Sequence, residues 1–501
     1  MDRRTFIKTG VAATAIALES QRAGAQESNT RRPNILFAVA DDWSWPHASA
    51  YGTPQISTPH FDRVAREGTL YHNAFTAAPQ CSPNRAATLT GRNIWQIAEA
   101  GTHGSIFPNT HPVFTDVLED NGYFVGYTGK GWSPGDWNRG GWERNPAGRS
   151  FGDRKLDDRP SDGISKNDYA SNFEAFLEAR PDDTPFSFWF GASEPHRSYE
   201  KGTGSAKGKD PSKARVPGFL PDTPEMREDL LDYFAEIEWF DEHLGRMLAA
   251  LERIGELDNT LVIVSSDNGM PFPRAKANLY EHGTHVPMAV RWPGQVDAGA
   301  ETEKLVSFVD IAPTLLTAAG IGVPDSMVGH SFLNDSQEFI LTGRERHTHA
   351  RFDNLGYPGR AIRTQDYLYI WNAKPDRWPA GDPDGFEDID GCPAKDIVLS
   401  GNSSVQRYRD WAVGKRPEEE LFAIKDDPYC LNNLADITEY DPTRQELRDQ
   451  LQTTLKDQGD PRMNGYGDIF ESYPRVSRMR PHLGGFAERG EYNTKYHVEK
   501  P

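Results

Sequence analysis

The sequence predicts an α/β fold: a mostly parallel sheet flanked by helices, with a smaller C-terminal α+β domain. Three observations lead there. Short continuous apolar runs alternate with longer segments whose apolar residues recur at helical spacing. Two of the runs end directly in Asp41-Asp42 and Asp267-Asn268, at the strand ends where such sheets gather ligands. After about Asn334 the alternation stops and a Pro-, Gly- and Asp-rich texture takes over.

Asn34–Ala40 follows Arg-Pro and has the composition of a strand buried on both faces. Thr58-Pro59 opens a helix through Phe61, Val64 and Ala65, with proline in the first turn. Cys81–Thr90 reads as a short helical stretch stopped by Gly91. Further strands are expected at Tyr123–Thr128, Phe186–Gly191, Thr260–Ser265 and Val286–Arg291, with helices at Asp168–Ala179, Glu225–Ile254 and Ile311–Ala319. In Glu225–Ile254 the residues Leu230, Phe234, Ile237, Phe240, Leu244, Leu248 and Leu251 form one apolar stripe, so this long helix is expected to cover the sheet. Beyond it Arg360–Trp371 reads as a strand and Thr443–Lys456 as an amphipathic helix. Loops of this part, which includes the Pro-, Gly- and Asp-rich stretch Pro375–Pro393, are expected to rim the active site.

The chain has 501 residues, 37% of them hydrophobic, with 12 Trp, 18 Tyr and 25 Phe, which is the composition of a globular protein. No stretch approaches the roughly 20 apolar residues of a membrane span. Arg3-Arg4-Thr5-Phe6-Ile7-Lys8, the weakly apolar Thr9–Leu18 and Ala23-Gly24-Ala25 read as a twin-arginine export signal over residues 1–25. That implies the twin-arginine export machinery as a partner and a bacterial periplasmic or secreted location; a basic, soluble arm is the alternative. The remainder divides into an expected main domain over 32–345 and a C-terminal subdomain over 346–501. Net charge is −19, and near −21 without a leader that carries four basic and two acidic residues. Such a balance speaks against nucleic-acid binding and requires a local basic pocket for any anionic substrate. Of the three cysteines, Cys392 and Cys430 could pair in an oxidising compartment or remain free thiols.

The third cysteine carries the most information. Cys81-Ser82-Pro83-Asn84-Arg85 runs into Ala86-Ala87-Thr88-Leu89-Thr90-Gly91-Arg92. A buried thiol is the plain reading of such a residue. The segment as a whole resembles the signature of type I sulfatases, whose fold is alkaline-phosphatase-like. In that family a maturation enzyme oxidises the cysteine to formylglycine. The hydrated aldehyde attacks sulfur with one oxygen, and the other later expels sulfate. The resemblance therefore implies a formylglycine at position 81, a formylglycine-generating maturation enzyme as partner, and a sulfated carbohydrate as substrate.

Other motifs extend the likeness over about Arg32 to Asp460. Asp41, Asp42, Asp267 and Asn268 are two pairs of hard oxygen donors at strand ends, suited to Ca²⁺, although Asp-Asp and Asp-Asn-Gly are also common in turns. The resemblance implies that these four residues hold one divalent cation, with position 81 completing the set. Arg85 lies one turn after Cys81 on the same helix face. Lys130 in Thr128-Gly129-Lys130, His196 in Glu194-Pro195-His196-Arg197, and Lys276 correspond to the family's sulfate-binding and leaving-group residues. One departure stands out. The family usually reads Gly-Lys-x-His, whereas this chain reads Gly129-Lys130-Gly131-Trp132. A histidine from elsewhere, with His103, His282 and His285 as candidates, takes over that work, or sulfate elimination proceeds with less help.

Within the family the segments Val216–Pro224, Ser266–Pro273 and Asn278-Leu279-Tyr280 resemble heparan N-sulfatases, and Glu420-Leu421-Phe422 resembles sulfatases in general. Tyr280–His285 departs from the N-sulfatase pattern, so an O-sulfatase acting on algal polysaccharide fragments stays open. Two further classes are less favoured: a two-metal phosphohydrolase of the same fold, which would use Ser or Thr, and a non-catalytic sulfoglycan-binding protein, which would not need Cys81.

Overall fold

Asn34–Ala40 (β1) forms the strand its apolar run predicts, buried at every residue. The computed structural model describes residues 31–484 and 489–498, so the export segment over 1–25 lies outside the described residues. From Pro33 onward the chain is one compact unit. Seven strands join β1 in one sheet: Thr69–Phe75 (β2), Phe124–Gly129 (β3), Arg149–Ser150 (β4), Phe186–Gly191 (β5), Thr260–Ser266 (β6), His285–Arg291 (β7) and Ala300–Ser307 (β8). Their order is β4-β3-β5-β1-β6-β7-β2-β8. All neighbours are parallel except β7, which runs antiparallel to both β6 and β2. The sheet is thus mostly parallel, as expected.

Alternation along β1 divides the core. Leu36 and Ala38 face one side with Phe188, Phe190, Val262 and Val264, beneath the helix Pro224–Arg253. Ile35, Phe37 and Val39 face the other with Trp189, Leu261 and Ile263, against the helices Cys81–Thr90, Phe114–Asp120 and Ile311–Ala318. The 30-residue helix Pro224–Arg253 buries the whole predicted stripe from Leu230 to Leu251. It starts at Thr223, whose side chain accepts from Met226 N, followed by Pro224 at the first helical position.

Three strands of this sheet escaped the sequence reading: β2, the two-residue β4 and β8. β2 has a register shift between Tyr71 and Ala74 and places Asn73 in the sheet, its amide satisfied by Glu303. β8 is an edge strand, AETEKLVS, whose three charged residues fall in its partly exposed first five positions. A second, separate sheet is antiparallel, in the order β12-β11-β10-β9, from Ile340–Arg344 (β9), Gly359–Arg363 (β10), Tyr367–Asn372 (β11) and Glu419–Ala423 (β12). Arg360–Trp371, expected as a single strand, is therefore a hairpin. The break falls at Thr364-Gln365-Asp366, where Thr364 N donates to Tyr367 O at 2.9 Å. The helix Asp441–Asp457 lays Leu447, Leu451 and Leu455 on this sheet beside Tyr369 and Leu421.

Strand register sets the site. Ala40 lies opposite Ser266, Val39 opposite Gly191, and Gly191 opposite Gly129. The residues that follow each strand, Asp41, Lys130, Ala192 and Asp267, consequently leave the sheet along one edge. Gly129 is required there: its φ is 72°, and a Cβ would meet Gly191 O at 2.1 Å. That close approach lets Lys130 N donate to Gly191 O at 2.7 Å.

Candidate active site

Cys81 opens the helix Cys81–Thr90, every residue of which is buried. Asn84 pins its first turn, accepting from Ala77 N at 2.8 Å and donating to Asp267 O at 2.7 Å. The helix closes at Gly91, in the left-handed region with φ of 59°. Cys81 Sγ lies 3.5 Å from Asp41 Oδ1. Burial raises the thiol's pKa and Asp41 raises it further. An unmodified Cys81 is thus a neutral thiol and a poor nucleophile.

Arg85, one turn on, is wholly buried. Its Nε donates to Asp267 Oδ2 at 2.7 Å, and its Nη1 donates to Lys130 O at 2.6 Å and Gly131 O at 3.2 Å. Asp41, Asp42, Cys81 and Asp267 are all buried, with one ligand atom of each within 4.8 Å of the others. Asn268 Nδ2 donates to Asp42 Oδ1 at 2.5 Å, which leaves Asn268 Oδ1 buried without a hydrogen-bond partner. Burial pushes Asp267 up to about 6 against the pull of Arg85, and Asp41 adds to the rise. Crowded carboxylates and an orphaned amide oxygen are the donor set of a hard divalent cation, so these residues fit the group.

Three basic side chains answer the three carboxylates. Lys130 Nζ donates to Asp41 Oδ2 at 2.5 Å and Lys276 Nζ to Asp42 Oδ2 at 2.7 Å, while Arg85 holds Asp267. Burial works to raise Asp41, but Lys130, with His196, Arg85 and Lys276, overrides it and holds the group well below the usual carboxylate range. His196 Nε2 is 3.9 Å from Asp42 Oδ2, and its Nδ1 meets Arg197 O at 2.7 Å. A carbonyl only accepts, so Nδ1 carries the proton and Nε2 faces the carboxylates. Arg197 is spent on structure: its guanidinium makes two 2.7 Å bonds to Asp229 and its Nε bonds Pro271 O. All nine residues singled out by sequence thus converge at one sheet edge.

Trp132 occupies the place where a histidine is usual, buried, with Nε1 donating to Ser82 O at 3.0 Å. Two of the three replacement candidates lie outside the cleft. His282 packs against Phe219 and Tyr429, and His285 is held by Glu281 and His72 O between Trp45 and Phe75. His103 alone lines the cleft with Cys81. Its Nδ1 meets His347 O at 3.1 Å, and Gly104 N donates to Ser82 Oγ at 3.2 Å, which sets the His103 loop beside position 81. Burial, then His347 and Arg475, keep its pKa well below the ordinary value. The ring is neutral, protonated at Nδ1, with a lone pair on Nε2.

The sequence reading missed Asp390, within the stretch Pro375–Pro393. Its carboxylate lies 3.5 Å from Lys276 Nζ and forms a close group with Asp42 and His196. No periodicity or motif marks it among the six Asp and Glu residues of that stretch. The cleft measures about 490 Å³ and is lined by Asp41, Cys81, His103, Lys130 and His196, with Arg159, Ile164 and Ser165 at its side. Cys392 and Cys430 are buried free thiols.

Comparison with known proteins agrees with this geometry. The family model described as "Sulfatase" matches residues 33–321, and that described as "N-sulphoglucosamine sulphohydrolase, C-terminal" matches residues 274–378. An ulvan-active sulfatase of Formosa agariphila is 29% identical over 458 residues, covering 86% of this chain and 76% of its own. The human N-sulphoglucosamine sulphohydrolase is 28% identical over 462 residues, covering 84% of this chain and 89% of its own. Among solved structures, one in complex with its substrate D-glucosamine-2-N,6-O-disulfate superposes with a TM-score of 0.63 at 21% identity, covering 86% of this chain and 99% of that one. A 2-O GAG sulfatase gives 0.63 at 18% identity, covering 93% and 100%. These structures establish the shared fold. The sulfatase model covers more than half of the chain and contains every residue of the acidic cluster, so the chain belongs to the sulfatase family and is a sulfuric ester hydrolase.

Proposed function

We propose that this sulfatase removes sulfate from sulfated sugars of polysaccharide fragments. N-sulfoglucosamine is the first candidate substrate and O-sulfated sugars of algal polysaccharides the second. The observation that carries the reading is Cys81 Sγ beside Asp41, inside a buried group of three carboxylates each paired with a basic side chain. That arrangement is neutral overall. A divalent cation, for which Ca²⁺ suits the all-oxygen donors, would make it cationic and so fit a sulfate ester.

Asp41, Asp42, Asp267 and Asn268 would hold that cation, which supplies Lewis-acid polarisation of a sulfate oxygen. Formylglycine at position 81 supplies a hydrated aldehyde as nucleophile in place of the neutral thiol. Arg85 fixes position 81 and Asp267 from below. Lys130, kept charged by Asp41, and Lys276, kept charged by Asp390 and Asp42, bind sulfate oxygens. His103 Nε2 is the proton acceptor beside position 81 and replaces the histidine lost at Trp132. His196 Nε2 donates a proton to the leaving oxygen or nitrogen when the ring enters the reaction protonated.

The family C-terminal match over 274–378 supports the N-sulfated sugar, and the likeness to an ulvan-active sulfatase supports the O-sulfated one. The Arg3-Arg4 segment supports export to the periplasm or beyond, after maturation in the cytoplasm. No helix among the described residues is long and apolar enough to cross a membrane. The test is sulfate release from N-sulfoglucosamine beside a panel of O-sulfated monosaccharides and ulvan oligosaccharides. Release from the N-sulfated sugar alone makes this a sulfamidase; release only from the O-sulfated panel makes it a polysaccharide O-sulfatase. Phosphate-ester hydrolysis without sulfate release contradicts the reading.

A further inference from the structure

A carboxylate is out of place in a pocket for sulfate unless a cation or the substrate answers it. Asp41, Asp42 and Asp267 each hold a cation at 2.7 Å or less, whereas Asp390 only shares Lys276 with Asp42. Lys276, its nearest cation, is committed to Asp42 at 2.7 Å and lies 3.5 Å from Asp390. The Asp390 side chain is 29% exposed, whereas Asp41, Asp42 and Asp267 are at 3% or less. It is thus partly open to solvent beside His196, the proposed proton donor to the leaving group.

Its position is rigidly held from both sides. Two residues earlier, buried Asp388 accepts from Arg344 at 3.0 Å, Arg351 at 2.8 Å, Thr348 N at 2.9 Å and Thr348 Oγ1 at 2.7 Å. Lys395 Nζ donates to Ile389 O at 2.9 Å, and Cys392 Sγ accepts from Lys395 N at 3.4 Å as the helix Pro393–Leu399 begins. A carboxylate fixed this way, next to the proton donor at the margin of the acidic cluster, is a preorganised acceptor.

We propose that Asp390 is a specificity residue that accepts a hydrogen bond from a hydroxyl or amino group of the sugar bearing the sulfate. It selects leaving groups with a neighbouring donor and disfavours those with a second anionic group at that position. The inference rests on the carbohydrate-sulfatase reading of this cleft and adds the sugar side of recognition to it.

The test uses the full chain as Cys81→Ala, which has no group to convert to formylglycine, so binding is read without turnover. Calorimetry measures N-sulfoglucosamine, glucosamine 6-O-sulfate and 4-nitrophenyl sulfate, the last lacking hydroxyl and amino donors. Asp390→Ala is expected to weaken the tighter-binding sugar sulfate by about tenfold or more, and 4-nitrophenyl sulfate by less than about twofold. Asp390→Asn, which keeps an acceptor oxygen, is expected to fall between. In converted enzyme the same change should raise KM for the sugar sulfate more than it lowers kcat. Equal weakening of all ligands would mean that Asp390 acts only through Lys276, and an unchanged sugar affinity would remove it from recognition; either overturns the proposal. If the Cys81→Ala parent binds the aryl sulfate but no sugar sulfate, the carbohydrate reading itself fails, an outcome separate from any effect of Asp390.

Discussion

Asp41 and Asp267 are both buried in one cluster, yet their environments pull them apart. In the first, burial is outweighed by Lys130 with His196, Arg85 and Lys276, which hold it ionised; in the second, burial prevails and lifts it to about 6. A cation bound between them would ionise both, which suits the cluster to holding a metal and not to acid–base work. The acid–base work of the proposed mechanism then falls to two histidines of the same tautomer, each with its Nδ1–H donating to a backbone carbonyl. They differ in exposure: His103 is buried and kept neutral, whereas the His196 side chain is 36% exposed. In the proposed mechanism His103 accepts the proton and His196 donates it. His196→Ala should therefore lower the rate on sugar sulfates far more than on aryl sulfates, whose leaving groups need little protonation. Comparing kcat/KM on glucosamine 6-O-sulfate and 4-nitrophenyl sulfate checks this; equal losses would deny His196 the leaving-group role.

At the scale of elements, helix starts and strand ends do the positioning. The helix Pro59–Arg66 has no side-chain cap from Thr58. Asp241, from the long helix Pro224–Arg253, supplies one instead, accepting from His60 N at 3.0 Å and Phe61 N at 2.7 Å. Asp241→Ala leaves both donors without an acceptor and should cost about 2–3 kcal/mol. A urea titration reads this directly, and an unchanged midpoint would show the staple to be without effect. These elements also show what a sequence can reveal. β1, β5 and β6 were readable because burial on both faces forces a continuous apolar run. β2 and β8 were not, since β2 keeps Asn73 in the sheet through a partner in β8 and β8 has its charged residues in its partly exposed first five positions. Asp390 was hidden for a related reason: its place is set by the Asp388 anchor, a long-range contact without local pattern. His103, by contrast, was one of three candidates in sequence, and only the fold separates it from His282 and His285.

For the molecule as a whole, buried acids outside the site shape the response to pH. Glu236, in the long helix, is pushed up to about 8 by burial, with Glu194 adding to the rise, and its Oε2 has no partner. Its folded value lies above its unfolded one, near 4.5. The stability it contributes is therefore complete below about pH 4.5 and is lost as pH rises through about 8. Glu236→Gln should flatten the decline in unfolding free energy between those values. A decline as steep as in the parent would place its cause elsewhere.

The same acids leave the chain at a net charge of −19, so attraction of an anionic substrate rests on the small basic set around Cys81 and on the cation it implies. That makes the state of position 81 the decisive quantity. The most direct measurement is sulfate release by protein co-produced with a formylglycine-generating enzyme, set against the fraction converted at position 81 by peptide mass. The account predicts release proportional to conversion, and none from unconverted or Cys81→Ala protein of parental thermal stability. Undiminished release from unconverted protein, or a fully converted protein inert toward every sulfated sugar and aryl sulfate, would contradict it.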